Sequence, residues 1–146
     1  DNWVKEAIDA GAECLCGAKA LDDNCYAPTV LFNPPADAKV TTSEVFGPVV
    51  NVYPFDEVDD ALAAANSLPF AFQASVYSRE LNAAMYVADK LDASAVMINE
   101  HTAFRVDWMP FAGLKHSGLG TGGIPYTMED MQVEKMVVIT SKGISA

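Results

Sequence analysis

The sequence predicts an α/β fold in which a mostly parallel sheet is flanked by helices. Between residues 49 and 99, strand-like and helix-like segments alternate, the order that builds parallel sheets. Residues 94–99 form an almost unbroken apolar run, as expected of a strand with both faces covered. Hydrophobic residues make up 51% of the 146 and charged residues 20%, a composition that supports a packed core and argues against disorder.

The elements follow in chain order. Residues 2–11 read as a helix already under way, with Trp3, Val4, Ala7 and Ile8 on one face and Gly11 to end it. No capping residue or turn introduces it. Extended segments are expected near residues 13–15 and 26–32, the second broken by Asn33-Pro34-Pro35. Phe46-Gly47-Pro48 turns the chain into the apolar run of residues 49–53. Asp56 is expected to cap a helix carrying Val58, Ala61, Leu62 and Ala65, which Ser67-Leu68-Pro69 ends. Residues 74–77 form a short strand. Ser78 then caps a helix striped with Leu81, Ala84, Met85, Ala88 and Leu91, and residues 94–99 close the series. Residues 100–127 are crowded with Gly, Pro and aromatics and show no periodicity. Such a stretch is long for a structureless loop and is expected to be functional or packed on other parts. Residues 128–132 read as a turn or short helix, and residues 135–140 as a β-branched strand near the end.

Charge and cysteine content narrow the function. Acidic residues number 20 and basic residues 9, a formal net charge of −11 that phosphate backbones and anionic lipid surfaces repel. No apolar run approaches the about 18 residues a membrane span needs. The start, Asp1-Asn2-Trp3-Val4, has neither an initiator Met nor a signal-peptide layout, so a piece of a longer chain is expected. Cys14, Cys16 and Cys25 are no disulfide framework and suit a reducing cytoplasm. A metal site lacks its ligands, because His101 and His116 lie far along the chain. The cysteines therefore read as small buried or half-exposed thiols.

Several constellations invite chemistry. Residues 118–123 match G-x-G-x-x-G, but that motif works only between a strand and an opening helix. Lys115-His116-Ser117 before it and Ile124-Pro125 after it offer neither, which favours glycines chosen for close backbone packing. His116 beside Ser117 lacks an orienting third group and reads as loop, and His101 as structural. Glu44 precedes the turn at Gly47-Pro48, with Phe46 two residues on. A carboxylate there can accept hydrogen bonds from a diol while the ring offers an apolar face, which suits a ribose and its heterocycle; an ordinary surface glutamate is the alternative.

Four collinear motifs carry a resemblance. Glu44-Val45-Phe46-Gly47-Pro48 resembles the E-x-F-G-P motif of the aldehyde dehydrogenase superfamily. Tyr26-Ala27-Pro28-Thr29-Val30-Leu31 is similar to its y-x-P-T-V-L strand. Ala64-Ala65-Asn66 through Ala74-Ser75-Val76-Tyr77 resembles its A-N…G-L-x-A-s-V stretch, with Ala71 and Phe72 where Gly-Leu is usual. Residues 110–118 resemble P-F-G-G-x-K-x-S-G, with Ala112 in place of a Gly.

The resemblance implies the C-terminal part of an NAD- or NADP-dependent enzyme that oxidises aldehydes to acids through a cysteine thioester. The family's nucleophilic cysteine and general-base glutamate precede the matched stretch, so no catalytic residue is expected here and the chain alone is expected to be inactive. Residues 1–127 would belong to the catalytic domain and residues 128–146 to a tail with an oligomerisation strand. Carried over by position, Glu44 would bind the nicotinamide ribose, Phe46 would pack against the nicotinamide, and Phe111 would line the substrate tunnel. Residues 99–109, with Thr102 and Arg105, would form one wall of the aldehyde site. That wall is similar to the phosphonoacetaldehyde, lactaldehyde and non-phosphorylating glyceraldehyde-3-phosphate dehydrogenase branches. Arg105 suits an anionic or hydroxy aldehyde because its planar fork binds two oxygens at once; the alternative is an ion pair with Asp107 or Glu100 that stiffens the loop. A small aldehyde as partner, a cytoplasmic homo-oligomer (dimer or tetramer), and no contact with nucleic acid or membrane complete the expectation. The alternatives are a glutamyl-phosphate-reductase-like enzyme and a non-catalytic interaction module of the same fold.

Overall fold

The structure is a computed structural model and describes residues 1–140. The chain divides into two compact units, Asp1–Ala64 and the stretch from Ala65 onward.

The first unit opens with α1 (Asn2–Asp9), whose Val4 and Ala7 are fully buried. Its N-cap, Asp1, makes no side-chain capping bond and pairs instead with Lys5 one turn on, at 2.7 Å. A three-stranded sheet follows in the order β1 (Glu13–Cys16), β2 (Thr29–Phe32), β3 (Val49–Val52). β1 runs antiparallel to β2, and β3 parallel to it, with Thr29 opposite Val49. Tyr26, expected in the second strand, makes only an isolated bridge to Ala20. A one-turn helix, α2 (Lys39–Thr42), sits between β2 and β3 and places Val40 with Val4, Ala7, Ala12 and Leu31 in the core. The buried Thr29 hydroxyl donates to the Ala27 carbonyl and accepts the Ala18 N–H, at 2.8 and 2.9 Å, so its burial leaves no polar group unpaired.

The expectation for α3 needs one correction. The helix spans Val58–Asn66, and its first turn hangs on the Glu57 carbonyl, which accepts from Asp60 and Ala61. Asp56 stands one residue too early to cap it.

In the second unit, β5 (Gln73–Val76) and β6 (Ala95–Ile98) pair in parallel around α4 (Leu81–Lys90). Ser78 is not the cap of α4. Its hydroxyl accepts the Glu80 N–H, closing a local turn, and Glu80 takes the N-cap position. Of β6 only Met97 is buried, so the apolar run is half-covered rather than enclosed. Two-residue strands β4 (Phe70–Ala71) and β7 (Leu114–Lys115) pair antiparallel, one of several ties that give the aperiodic stretch its shape. That stretch also contains the start of α5 (Ile124–Asp130), directly after Gly123. Pro125 sits in the first turn, where its missing N–H costs nothing.

Residues 132–140 carry no regular secondary structure, and Met136, Val137, Val138 and Ile139 are exposed. Residues 141–146 of the expected tail lie outside the described residues. Among the described residues no helix is long and apolar enough to cross a membrane. The cysteines are more open than expected, all three being exposed. A bulge at Leu15 sets Cys14 opposite Leu31 and Cys16 opposite Val30, which turns the two thiols to opposite sheet faces.

Candidate functional site

In the first unit the candidate residues sit on the turn between α2 and β3. The turn is anchored at both ends. The Asn51 side chain donates to the Val40 carbonyl at 2.6 Å, and the Pro48 carbonyl accepts the Thr29 N–H at 2.8 Å. Between these anchors Phe46 adopts φ +49°, a left-handed conformation that costs a bulky residue about 1–3 kcal/mol. The residue is 91% exposed. Strain and an apolar ring held in water are two unfavourable features at one residue, and neither serves the core. Glu44, also exposed, has no hydrogen bond or ion pair among the described residues. An open cavity of about 530 Å³ beside the turn is lined by Trp3, Tyr26, Val45, Phe46 and Pro48, and Glu44 is not among its lining residues.

In the second unit the candidates lie on the loop after β6. Asn99 starts it with φ +57°, tolerable for Asn, and its amide clamps Ser78. Oδ1 accepts the Ser78 N–H and Nδ2 donates to the Ser78 carbonyl, both at 2.9 Å. The loop thus leaves the strand in one direction. Beyond it, the Arg105 guanidinium lies 4.2 Å above the Phe111 ring. Phe111 is held by two backbone bonds with Gly122, at 3.1 and 2.7 Å, and meets the Phe72 ring edge-to-face at 4.8 Å. Gly123 (φ +112°) closes the loop so tightly that a Cβ would stand 2.6 Å from the Met109 carbonyl oxygen.

The ion pair considered for Arg105 does not form. Among the described residues no carboxylate oxygen lies within 4.0 Å of it; Glu100 sits instead 3.4 Å from His101. Arg105 is exposed and lines a shallow cavity of about 430 Å³ with Asp107, Thr127 and Met128. Arg105 and Phe111 are therefore brought together. Thr102 shares the loop, is exposed, and takes no part in the stack.

The remaining readings divide. His116 contacts the Phe70 ring edge at 6.3 Å, while the Ser117 hydroxyl accepts the Ala71 N–H at 3.0 Å. Ser117 is an exposed turn residue, as expected, whose hydroxyl also ties the turn to β4. The glycine stretch is followed by a helix after all, yet α5 has only seven residues, and at Gly123 close backbone approach accounts for the residue. Sequence reasoning missed Phe72, the Asn99 clamp, and Lys115, whose ammonium donates to the Asn66 and Leu68 carbonyls and pairs with Asp92 at 2.8 Å. The signal for Asn99 was available: Asn directly after a strand is a favoured left-handed position.

Comparison with known proteins gives the family directly. Residues 1–137 match the aldehyde dehydrogenase family, and the chain belongs to it. It is 37% identical over 139 residues to 3-sulfolactaldehyde dehydrogenase of Priestia aryabhattai, covering 95% of this chain and 29% of that protein. Among solved structures, it superposes on aldehyde dehydrogenase 21 of Physcomitrella patens, in complex with the reaction product succinate, with a TM-score of 0.84. That match has 34% identity and covers 89% of this chain and 27% of the other. The glyceraldehyde-3-phosphate dehydrogenase of Methanocaldococcus jannaschii, complexed with NADP, matches with a TM-score of 0.82 at 34% identity, over 89% and 28% of the two chains. The chain spans under a third of the length of these relatives.

Proposed function

We propose that this chain supplies cofactor contacts and one wall of the aldehyde site in an NAD(P)-dependent enzyme that oxidises a small anionic or hydroxy aldehyde to its acid. When bound, the nicotinamide accepts a hydride from the aldehyde carbon. Glu44 accepts hydrogen bonds from the ribose hydroxyls, and Phe46 offers its exposed face to the nicotinamide. The left-handed backbone at Phe46 and its exposed side chain support this role, since together they present the ring outward from the turn. Phe111, Thr102 and Arg105 face the aldehyde. The cysteine that forms the thioester and the glutamate that activates water lie outside this chain. The exposed apolar residues of 136–139 support a further role for the tail, pairing with a second subunit in a homo-oligomer.

The anionic substrate class rests on one observation. Arg105 is exposed, unpaired with any carboxylate among the described residues, and held on an aromatic face, which leaves its in-plane N–H groups available to an acid group. The names of relatives support the class, since sulfolactaldehyde and glyceraldehyde 3-phosphate both carry an anion. In the complete enzyme, Arg105→Ala is expected to lower kcat/KM for glyceraldehyde 3-phosphate about ten- to over a hundredfold, the worth of a hydrogen bond to charge. Propanal, with no anion, is the reference. A ratio of anionic to neutral kcat/KM that holds within about twofold contradicts the proposal.

A further inference from the structure

We infer that Phe72 is a specificity-determining residue that acts through Phe111, holding its ring so that Arg105 is set in advance for an anion. This rests on the reading of Arg105 as the anion site. An arginine on an exposed loop samples many rotamers and loses that freedom when it binds. Stacking on Phe111 at 4.2 Å removes part of the loss beforehand, because it engages the guanidinium face and leaves the donor edge open. The stack is only as well placed as the ring beneath it.

Phe111 is 42% exposed, so burial alone does not fix it. Its ring has Phe72 on one side, 4.8 Å away at an interplanar angle of 88°, the edge-to-face geometry that aromatic pairs favour. The backbones of the two aromatics are tied as well. The Ser94 N–H donates to the Phe72 carbonyl at 2.8 Å, and the Ser94 hydroxyl lies within hydrogen-bond reach of the carbonyls of Phe72 and Ala112, the residue after Phe111. Phe72 is itself 36% exposed, and among the described residues Phe111 is the aromatic ring it meets. Phe72, Phe111 and Arg105 thus form one relay from the end of β4 to the loop.

The test compares variants of the complete enzyme by the ratio of kcat/KM for glyceraldehyde 3-phosphate to that for propanal. Phe72→Leu keeps an apolar side chain and removes the ring, and the ratio is expected to fall about three- to tenfold, the scale of one aromatic pair. The change is expected in KM for the anionic aldehyde. Phe72→Tyr keeps the ring and is expected to restore the parent ratio; Phe72→Met serves as a second ring-free variant should the first fold poorly. A merely structural role lowers both substrates together and leaves the ratio alone. If Arg105→Ala lowers the ratio while Phe72→Leu and Phe72→Met hold it within about twofold, the relay is overturned and the anion site stands. If Arg105→Ala itself leaves the ratio unchanged, the anion site fails and takes the relay with it.

Discussion

In Asp1–Ala64 the apolar side chains that water does not reach include Val4, Ala7, Ala12, Leu31 and Val40, gathered beneath α1 and the three-stranded sheet. From Ala65 onward, only Ala71, Ala84 and Met97 are buried apolar residues among those described. There, polar ties to backbone take over: Asn99 on Ser78, Ser117 on Ala71, Ser94 on Phe72, and Lys115 on Asn66 and Leu68. The contrast teaches how each candidate site is held. The turn bearing Phe46 can carry backbone strain because a buried core stands beside it. The loop bearing Arg105 is held by hydrogen bonds instead: backbone bonds such as Ile124 N–H to the Asp107 carbonyl, and at its start the Asn99 side-chain clamp, which one substitution removes.

That difference is open to measurement. Leu31 is fully buried at the centre of the first unit, so Leu31→Ala is expected to cost about 2–5 kcal/mol through lost burial and the cavity left behind. Amide exchange across β1, β2 and β3 would read this as a shared loss of protection. A loss under about 1 kcal/mol would mean that the unit does not depend on its core. Asn99→Ala is expected to cost less, about 1–2 kcal/mol, by removing both exposed bonds to Ser78 and placing an Ala in a left-handed conformation. Exchange should quicken at Ser78 and over residues 100–109, with β1–β3 unaffected. Equal quickening in both units would erase the distinction.

Much of this fold was legible in the sequence. The stripe Trp3, Val4, Ala7, Ile8 pointed to α1, and the strand–helix alternation to β5, α4 and β6, because two or more turns or several strand residues reveal a period. β4 and β7 are two residues each, too short to have one. α5 begins four residues before the turn or short helix expected at 128–132, with Pro125 in its first turn, a position that suits a helix start. Asp56 and Ser78 are capping residue types near the right places, but the cap is decided by local hydrogen bonding that composition does not carry. At the candidate site, Glu44 and Phe46 stood out through resemblance, whereas the left-handed backbone of Phe46 could not be anticipated for an aromatic. The stack of Arg105 on Phe111 joins residues six apart in an aperiodic loop, where no spacing rule applies. Phe72 did leave a trace, since it stands where the family pattern usually has Leu.

The proposed function divides the labour, giving the turn at Glu44 to the cofactor and the loop at Arg105 to the aldehyde. The most direct test measures cofactor KM and the anionic-to-neutral kcat/KM ratio in Glu44→Gln and Arg105→Ala of the complete enzyme. Glu44→Gln keeps the shape but weakens charge-assisted bonds worth about 1.5–3 kcal/mol each, so cofactor KM should rise about tenfold or more. Its aldehyde ratio should stay within about twofold, and Arg105→Ala should show the reverse pattern, a ratio down at least about tenfold with cofactor KM unchanged. If each variant instead moves both quantities by the same factor, the two sites are not separate and the account is wrong.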